Sequence, residues 1–171
     1  DDMGRTEDAM KHCSLSIDDA LFKLSQALSL FGHLYEKQKK FDEAHECYRL
    51  FPDIYDLMFK NSEDEVPYYT NHPCYDWCAA TCMDLGRYDE AMDWLEKWLR
   101  HEQIIAKNFN VVTESKLPYF FGLDFVASSH ESYPREKRIT PSLEWDSFDP
   151  IRETDRFKAI LADAEAFEKG D

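Results

Sequence analysis

Three cysteines stand at four-residue intervals, Cys74, Cys78 and Cys82, with His72 just upstream. On a helix that spacing lines three thiols along one face, which could clasp a soft metal or sense an oxidant. Each interval, however, climbs about 6 Å of helix, whereas structural zinc sites pair cysteines across a turn. Cysteine also packs well as a small hydrophobe. The core reading is therefore preferred, and neither a metal nor a cofactor is expected. Cys13 and Cys47 bring the total to five. An odd count without framework spacing reads as reduced thiols in a cytoplasmic protein.

Other reactive groupings are weaker. Asp53 and Asp56, and the run Ser62-Glu63-Asp64-Glu65, could pair carboxylates, but no histidine or nucleophile accompanies them. Charge runs of this kind are usually solvated surface. No Gly-rich phosphate loop, zinc-protease motif, nucleophile elbow or calcium loop occurs, so the chain reads as non-enzymatic. His33 and His45 are isolated on predicted helices, His33 toward a groove and His45 on an outer face beside the small Ala44. The chain has 171 residues, and its formal charge of −15 leaves few cations for a phosphate backbone or an anionic membrane. No apolar run approaches the roughly 20 residues that span a bilayer.

The elements that would position these groups are helical. Glycine and proline are scarce, at 5 and 7, and β-branched runs are nearly absent, so strands have little support. Leu21, Leu24, Leu28, Phe31 and Tyr35, joined by Ala20, Ala27 and Leu34, predict a helix over 18–37 with that stripe packed inward. A second helix over about 41–59 carries Phe41, Ala44, Tyr48, Phe51, Tyr55 and Met58. Residues 61–67 read as a loop. Helices follow over about 73–85 and 88–109, the latter with Ala91, Leu95, Trp98 and Leu99 inward. Residues 110–140 give a short helix or a packed loop. Thr140-Pro141 and Asp149-Pro150 look like cap residues followed by Pro in a first helical turn. A last helix carries Phe157, Ile160, Leu161, Ala164 and Phe167.

Three segments repeat: Gly4-Arg5-Thr6-Glu7-Asp8-Ala9-Met10, Lys39-Lys40-Phe41-Asp42-Glu43-Ala44-His45 and Gly86-Arg87-Tyr88-Asp89-Glu90-Ala91-Met92. Each is a turn, then acids suited to the positive end of a helix dipole, then an alanine that admits a close neighbour. With Leu28, Gly32, Tyr35, Phe41, Ala44 and Tyr48, and again with Tyr75, Ala79, Gly86, Tyr88, Ala91 and Leu95, the chain resembles the tetratricopeptide repeat, a helix-turn-helix unit of about 34 residues. The second spacing is longer by an insertion placed in an extended second helix and the 61–72 loop. The first unit keeps only its second helix, over about 6–15. That half repeat and the lack of an initiating Met suggest a segment of a longer chain. The tail, Leu143-Glu144-Trp145 through Ile160-Leu161, is similar to the closing segment of bacterial tetratricopeptide proteins, among them Xre-type helix-turn-helix transcriptional regulators.

The resemblance implies an all-α, right-handed superhelical stack of helix pairs over 1–109. Residues 110–171 would form an irregular segment and C-terminal capping helices of the same structural unit. It also implies a peptide-binding groove lined by Gln26, Ser29, His33 and Glu36 and by Asp76, Trp77, Ala80, Met83 and Asp84. These residues do not match the Lys, Asn and Arg clamp that grips chaperone tails. An acidic groove with Trp77 and Met83 suits a basic or amphipathic peptide. The chain's own tail, rich in aromatics at Tyr119, Phe120, Phe121 and Phe125, could instead fill it. The expected role is the sensory or assembly part of a larger bacterial protein. Alternatives are the ligand-responsive domain of a transcriptional regulator and a metal- or redox-sensing module. Self-association through an uncapped repeat end is a further expectation.

Overall fold

The computed structural model describes residues 2–59, 74–107, 113–114, 118–120, 122, 124–125 and 139–170. Six α-helices dominate: α1 (Asp2–Lys37), α2 (Phe41–Phe59), α3 (Tyr75–Asp84), α4 (Tyr88–Lys107), α5 (Thr140–Leu143) and α6 (Asp155–Lys169). Short 3-10 helices lie at Pro118–Phe120 and Asp146–Ile151. A minimal antiparallel ladder joins β1 (Thr113–Glu114) to β2 (Asp124–Phe125), pairing Thr113 with Phe125 and Glu114 with Asp124. The fold is otherwise all-α, a stack of tetratricopeptide-like helix pairs. The predicted loop at 61–67 lies outside the described residues.

The two helix pairs repeat at the level of single hydrogen bonds. After α1, the Lys39 amide donates to the Glu36 carbonyl at 2.8 Å and the Lys40 amide to Tyr35 at 3.0 Å. After α3, the Gly86 amide donates to Met83 at 3.0 Å and the Arg87 amide to Cys82 at 2.8 Å. Both turns hinge on a left-handed residue, Lys39 at φ 58° and Gly86 at φ 70°. This is how a helix closes its last carbonyls before reversing. Glycine adopts that conformation freely; lysine does so at a cost. The turns thus send α2 back along α1, and α4 back along α3.

Helix α1 departs from expectation in two ways. It runs unbroken from Asp2 to Lys37, so 6–15 is not a separate helix. No glycine or proline interrupts Leu15-Ser16-Ile17-Asp18, and nothing there stops helix propagation. Its buried line is also not the expected aliphatic stripe. Ser14, Ser25 and Gly32 are buried, at steps of eleven and seven that share one face. Leu21, Leu24, Leu28 and Tyr35 are half-buried, while Ala20, Ala27, Phe31 and Leu34 are exposed. Small residues win the contact line because α2 approaches closely. A Cβ on Gly32 would lie 2.2 Å from the Tyr48 ring.

Helices α2 and α4 bury most of what their periodicity predicts, although Phe41 is only half-buried and the Met58 side chain lies outside what is described. Ala44, Tyr48, Phe51 and Tyr55 are buried on α2, and Ala91, Leu95, Trp98 and Leu99 on α4. The tail closes the stack. Phe148, Phe157, Ile160 and Ala164 share a core with Ala79, Ala91 and Leu95. Arg156 reaches from α6 to Glu96 at 2.8 Å and to Asp93 at 2.5 Å on α4. The expected caps at Thr140 and Asp149 do not form: Thr140 lies within α5, whose cap position is Ile139, and Asp149 lies within the 3-10 helix. Thr154 takes the role for α6, its hydroxyl accepting from the Phe157 amide at 3.2 Å. Asp149 is instead drawn to Arg152, whose guanidinium also donates to the carbonyls of Leu143, Glu144 and Trp145.

Candidate functional site

The predicted groove residues fall on α1 and α3, which meet directly. The Ser29 hydroxyl lies 3.5 Å from the Cys74 sulfur. One turn on, His33 and Trp77 pack edge to face, ring centres 4.6 Å apart. Tyr48, from α2, lies beneath both, 5.6 Å from His33 and 5.3 Å from Trp77. The Tyr48 hydroxyl is 2.8 Å from His33 Nδ1, which is itself 3.1 Å from Glu36 Oε2. Burial, with Glu36 nearby, pushes the Tyr48 phenol well above its ordinary range, so it stays a neutral hydrogen-bonding partner. The result is a braced aromatic cluster with an acidic rim.

That rim is Glu36 and Asp84. The Asp84 carboxyl is raised by partial burial and by the Glu36 charge, which brings the two acids into one electrostatic neighbourhood. Gln26 is exposed, and Ser29, Trp77 and Ala80 are half-buried on the same two helices. Two expected members do not reach this surface. Asp76 is only 6% exposed and Met83 only 7%, both turned into the stack. Residue 76 corresponds to Ser29 and residue 83 to Glu36, but α3 is covered on more sides than α1. The 3-10 helix at Asp146–Ile151 packs against it.

The tail meets both helices of this surface, the 3-10 helix at Asp146–Ile151 on α3 and the one at Pro118–Phe120 on α1. Phe120 is fully buried and its 3-10 helix packs on α1. Gly122 meets Lys11, its nearest placed contact, about 33 Å along the helix from His33 by the helical rise. Phe121 and Leu123 lie outside the described residues, as does His72.

Cys74, Cys78 and Cys82 are all buried. Burial pushes the Cys74 thiol to about 11 and the Cys78 thiol well up. The three sulfurs do not converge: among the described residues, the one set of potential ligand atoms within 4.8 Å of one another is His45, Cys82 and Glu90. His45 overturns its expected outer position, since it is 1% exposed between α2, α3 and α4. On a helix, consecutive residues point about 100° apart. With Ala44 committed to α1, residue 45 faces the next pair. That offset was the sequence signal for it. Asp53 and Asp56 pair with Arg49 and Lys97 and do not form a carboxylate couple.

Helix pairs stacked through small residues, with a half-open aromatic and acidic surface between first helices, define a helical-repeat scaffold. Residues 25–51 match the family model for the tetratricopeptide repeat, and the chain contains that repeat. Such repeats mediate protein–protein interaction in general. No curated protein and no solved structure matches the chain. Among the described residues, no helix is long and apolar enough to cross a membrane.

Proposed function

We propose that the chain is a non-catalytic module that recognises a basic or amphipathic peptide on the α1–α3 surface, as the sensory or assembly part of a larger bacterial protein. The observation that carries this reading is the cluster of Trp77 against His33 and Tyr48, with Glu36 and Asp84 beside it. A braced indole loses little conformational freedom on binding, which is the usual character of an interface anchor. The two acids would pair with lysine or arginine on the ligand. No group in the cluster is arranged as nucleophile and base.

Fluorescence anisotropy against a library of Lys/Arg-rich amphipathic peptides tests it. Trp77→Ala should weaken a selected peptide at least ~30-fold, the loss of about 2 kcal/mol expected of an anchor, with the circular dichroism spectrum kept. Glu36→Gln with Asp84→Asn should flatten the salt dependence. A library without binders, or a peptide indifferent to Trp77→Ala, refutes the reading.

A second reading has its own observation. Leu30 and Phe31 are 61% and 56% exposed on α1, with Ala27 and Leu34 also exposed alongside. Apolar surface of this kind marks an interaction face, here one suited to a second copy of the chain. Sedimentation at rising concentration, with Phe31→Glu as control, distinguishes this from peptide binding.

A further inference from the structure

Helix α1 carries a second pattern, turned away from its buried line of small residues. Met10, Ile17, Leu24 and Phe31 recur every seven residues, and Cys13, Ala20, Ala27 and Leu34 each follow by three. That is the alternating three- and four-residue spacing of a coiled-coil seam, kept from Met10 to Leu34. The seam is open. Met10, Phe31 and Leu34 are 42%, 56% and 44% exposed; Cys13, Ala20 and Ala27 are exposed, and Ile17 and Leu24 half-buried. Cys13, Leu24 and Phe31 each precede a buried small residue, Ser14, Ser25 and Gly32, and so point about 100° away from the buried line. His33, two positions past Phe31, points roughly 160° from it, which sets the Trp77 surface on another side of the helix.

Resting on the self-association reading above, we propose that this seam binds a second copy of itself, as an antiparallel α1–α1 pair with its two-fold axis at the level of Phe22. The order of side-chain sizes selects the orientation. Run antiparallel, Ile17 faces Ala27 of the second copy, Leu24 faces Ala20, Phe31 faces Cys13 and Met10 faces Leu34. Every layer but the last sets a large side chain against a small one, so the interface fills evenly. Run parallel, each residue would face itself, and Ala20 and Ala27 would leave gaps while Leu24 and Phe31 crowd.

Charge permits the contact at this place. The whole chain carries −15, yet Met10 to Leu34 holds only Lys11, Asp18, Asp19 and Lys23, which sum to zero. Lys23 and Asp19 pair at 2.6 Å within the helix. Two strongly acidic copies can therefore meet along this stretch without net repulsion. Antiparallel helices also bring opposite dipole ends together. With Leu30, 61% exposed at its edge, the seam buries on the order of 500 Å² per copy, or about 1,000 Å² in total, the size a specific interface needs.

Sedimentation of the full chain should show a monomer–dimer equilibrium. Ala20→Glu, at an exposed position, puts two carboxylates into the seam and should raise the dissociation constant at least ~30-fold, with the circular dichroism spectrum kept. Cys13 labelling should slow as concentration rises. Orientation is read by disulfide trapping with copper–phenanthroline in air. The two copies of Cys13 lie about 27 Å apart in the antiparallel pair, so the parent should form no covalent dimer through Cys13. Phe31→Cys in a Cys47→Ser background should form one, linking position 13 to position 31 of the second copy. Ile17→Cys/Ala27→Cys in a Cys13→Ser/Cys47→Ser background keeps Phe31 and should link 17 to 27. A 13–13 link in the parent, links between identical positions in either variant, no link in both variants, or a dimer indifferent to Ala20→Glu overturns the antiparallel seam and leaves self-association standing. A chain that stays monomeric at every concentration overturns both. The Trp77 peptide measurements are independent of every arm.

Discussion

Substituting Gly32 with alanine probes how tightly the first helix pair is joined. An alanine Cβ would lie 2.2, 2.4 and 2.7 Å from three atoms of the Tyr48 ring. Carbon atoms rest about 3.5–4.0 Å apart, so ring or helix must shift by more than about 1 Å. The ring has little freedom, being fully buried with its hydroxyl beside His33. Alanine in a helix is better than glycine by roughly 1 kcal/mol. Overpacking costs about 1–3 kcal/mol, occasionally more, and overlap with three ring atoms belongs at the upper end. The net expectation is a loss of about 2 kcal/mol. For a chain of this length each kcal/mol moves Tm by about 2–4 °C, so Tm should fall by roughly 4–8 °C in thermal melts followed by circular dichroism. In a Tyr48→Leu background, where the ring is gone, the same substitution should cost much less or stabilise. A Gly32→Ala variant melting at or above the parent, or costing the same in both backgrounds, refutes the close-contact argument.

Lys39→Gly should stabilise by about 0.5–1 kcal/mol in urea unfolding, because the left-handed turn residue is relieved of its Cβ penalty; no gain would mean the side chain contributes what the backbone loses. Native thiol labelling at mildly alkaline pH should modify exposed Cys13 first and half-buried Cys47 more slowly, its thiol raised by burial. Cys74, Cys78 and Cys82, the last pushed to about 12, should react only after denaturant is added. Arg156→Ala should cost about 1 kcal/mol or less, since its partners Asp93 and Glu96 are half-exposed, and should remove part of the salt sensitivity of melting.

Much of the stack was legible because turns and small residues speak locally. Ala44 and Ala91, with the turns at 38–40 and 85–87, fix two hairpins from sequence alone, and the ends of α2 and α4 follow. What was illegible depended on how far neighbouring helices sit apart. The α1 stripe is apolar enough to predict burial, but approach distance decides the contact line, and Ser25 and Gly32 take it. The same cause hides Asp76 and Met83: periodicity placed them on the surface with Trp77, while the 3-10 helix at Asp146–Ile151 covers α3 from a direction no local pattern reveals. Proline at 141 and 150 correctly marked helical turns, yet the caps lie one residue before and five after the expected positions.

Helix α1 has 36 residues and α2 has 19, so they measure about 54 Å and 28 Å along their axes. They start from the same tight turn, and the first therefore outreaches the second by roughly 25 Å, a distance that follows from the rise per residue alone. His33 and Glu36 sit near the pivot, and Lys11, against Gly122, far from it. A rod of that length tilted by about 10° carries its tip about 9 Å. A tilt of α1 about that turn is therefore felt least at the Trp77 cluster and most where Lys11 meets Gly122, as a displacement the size of a side chain.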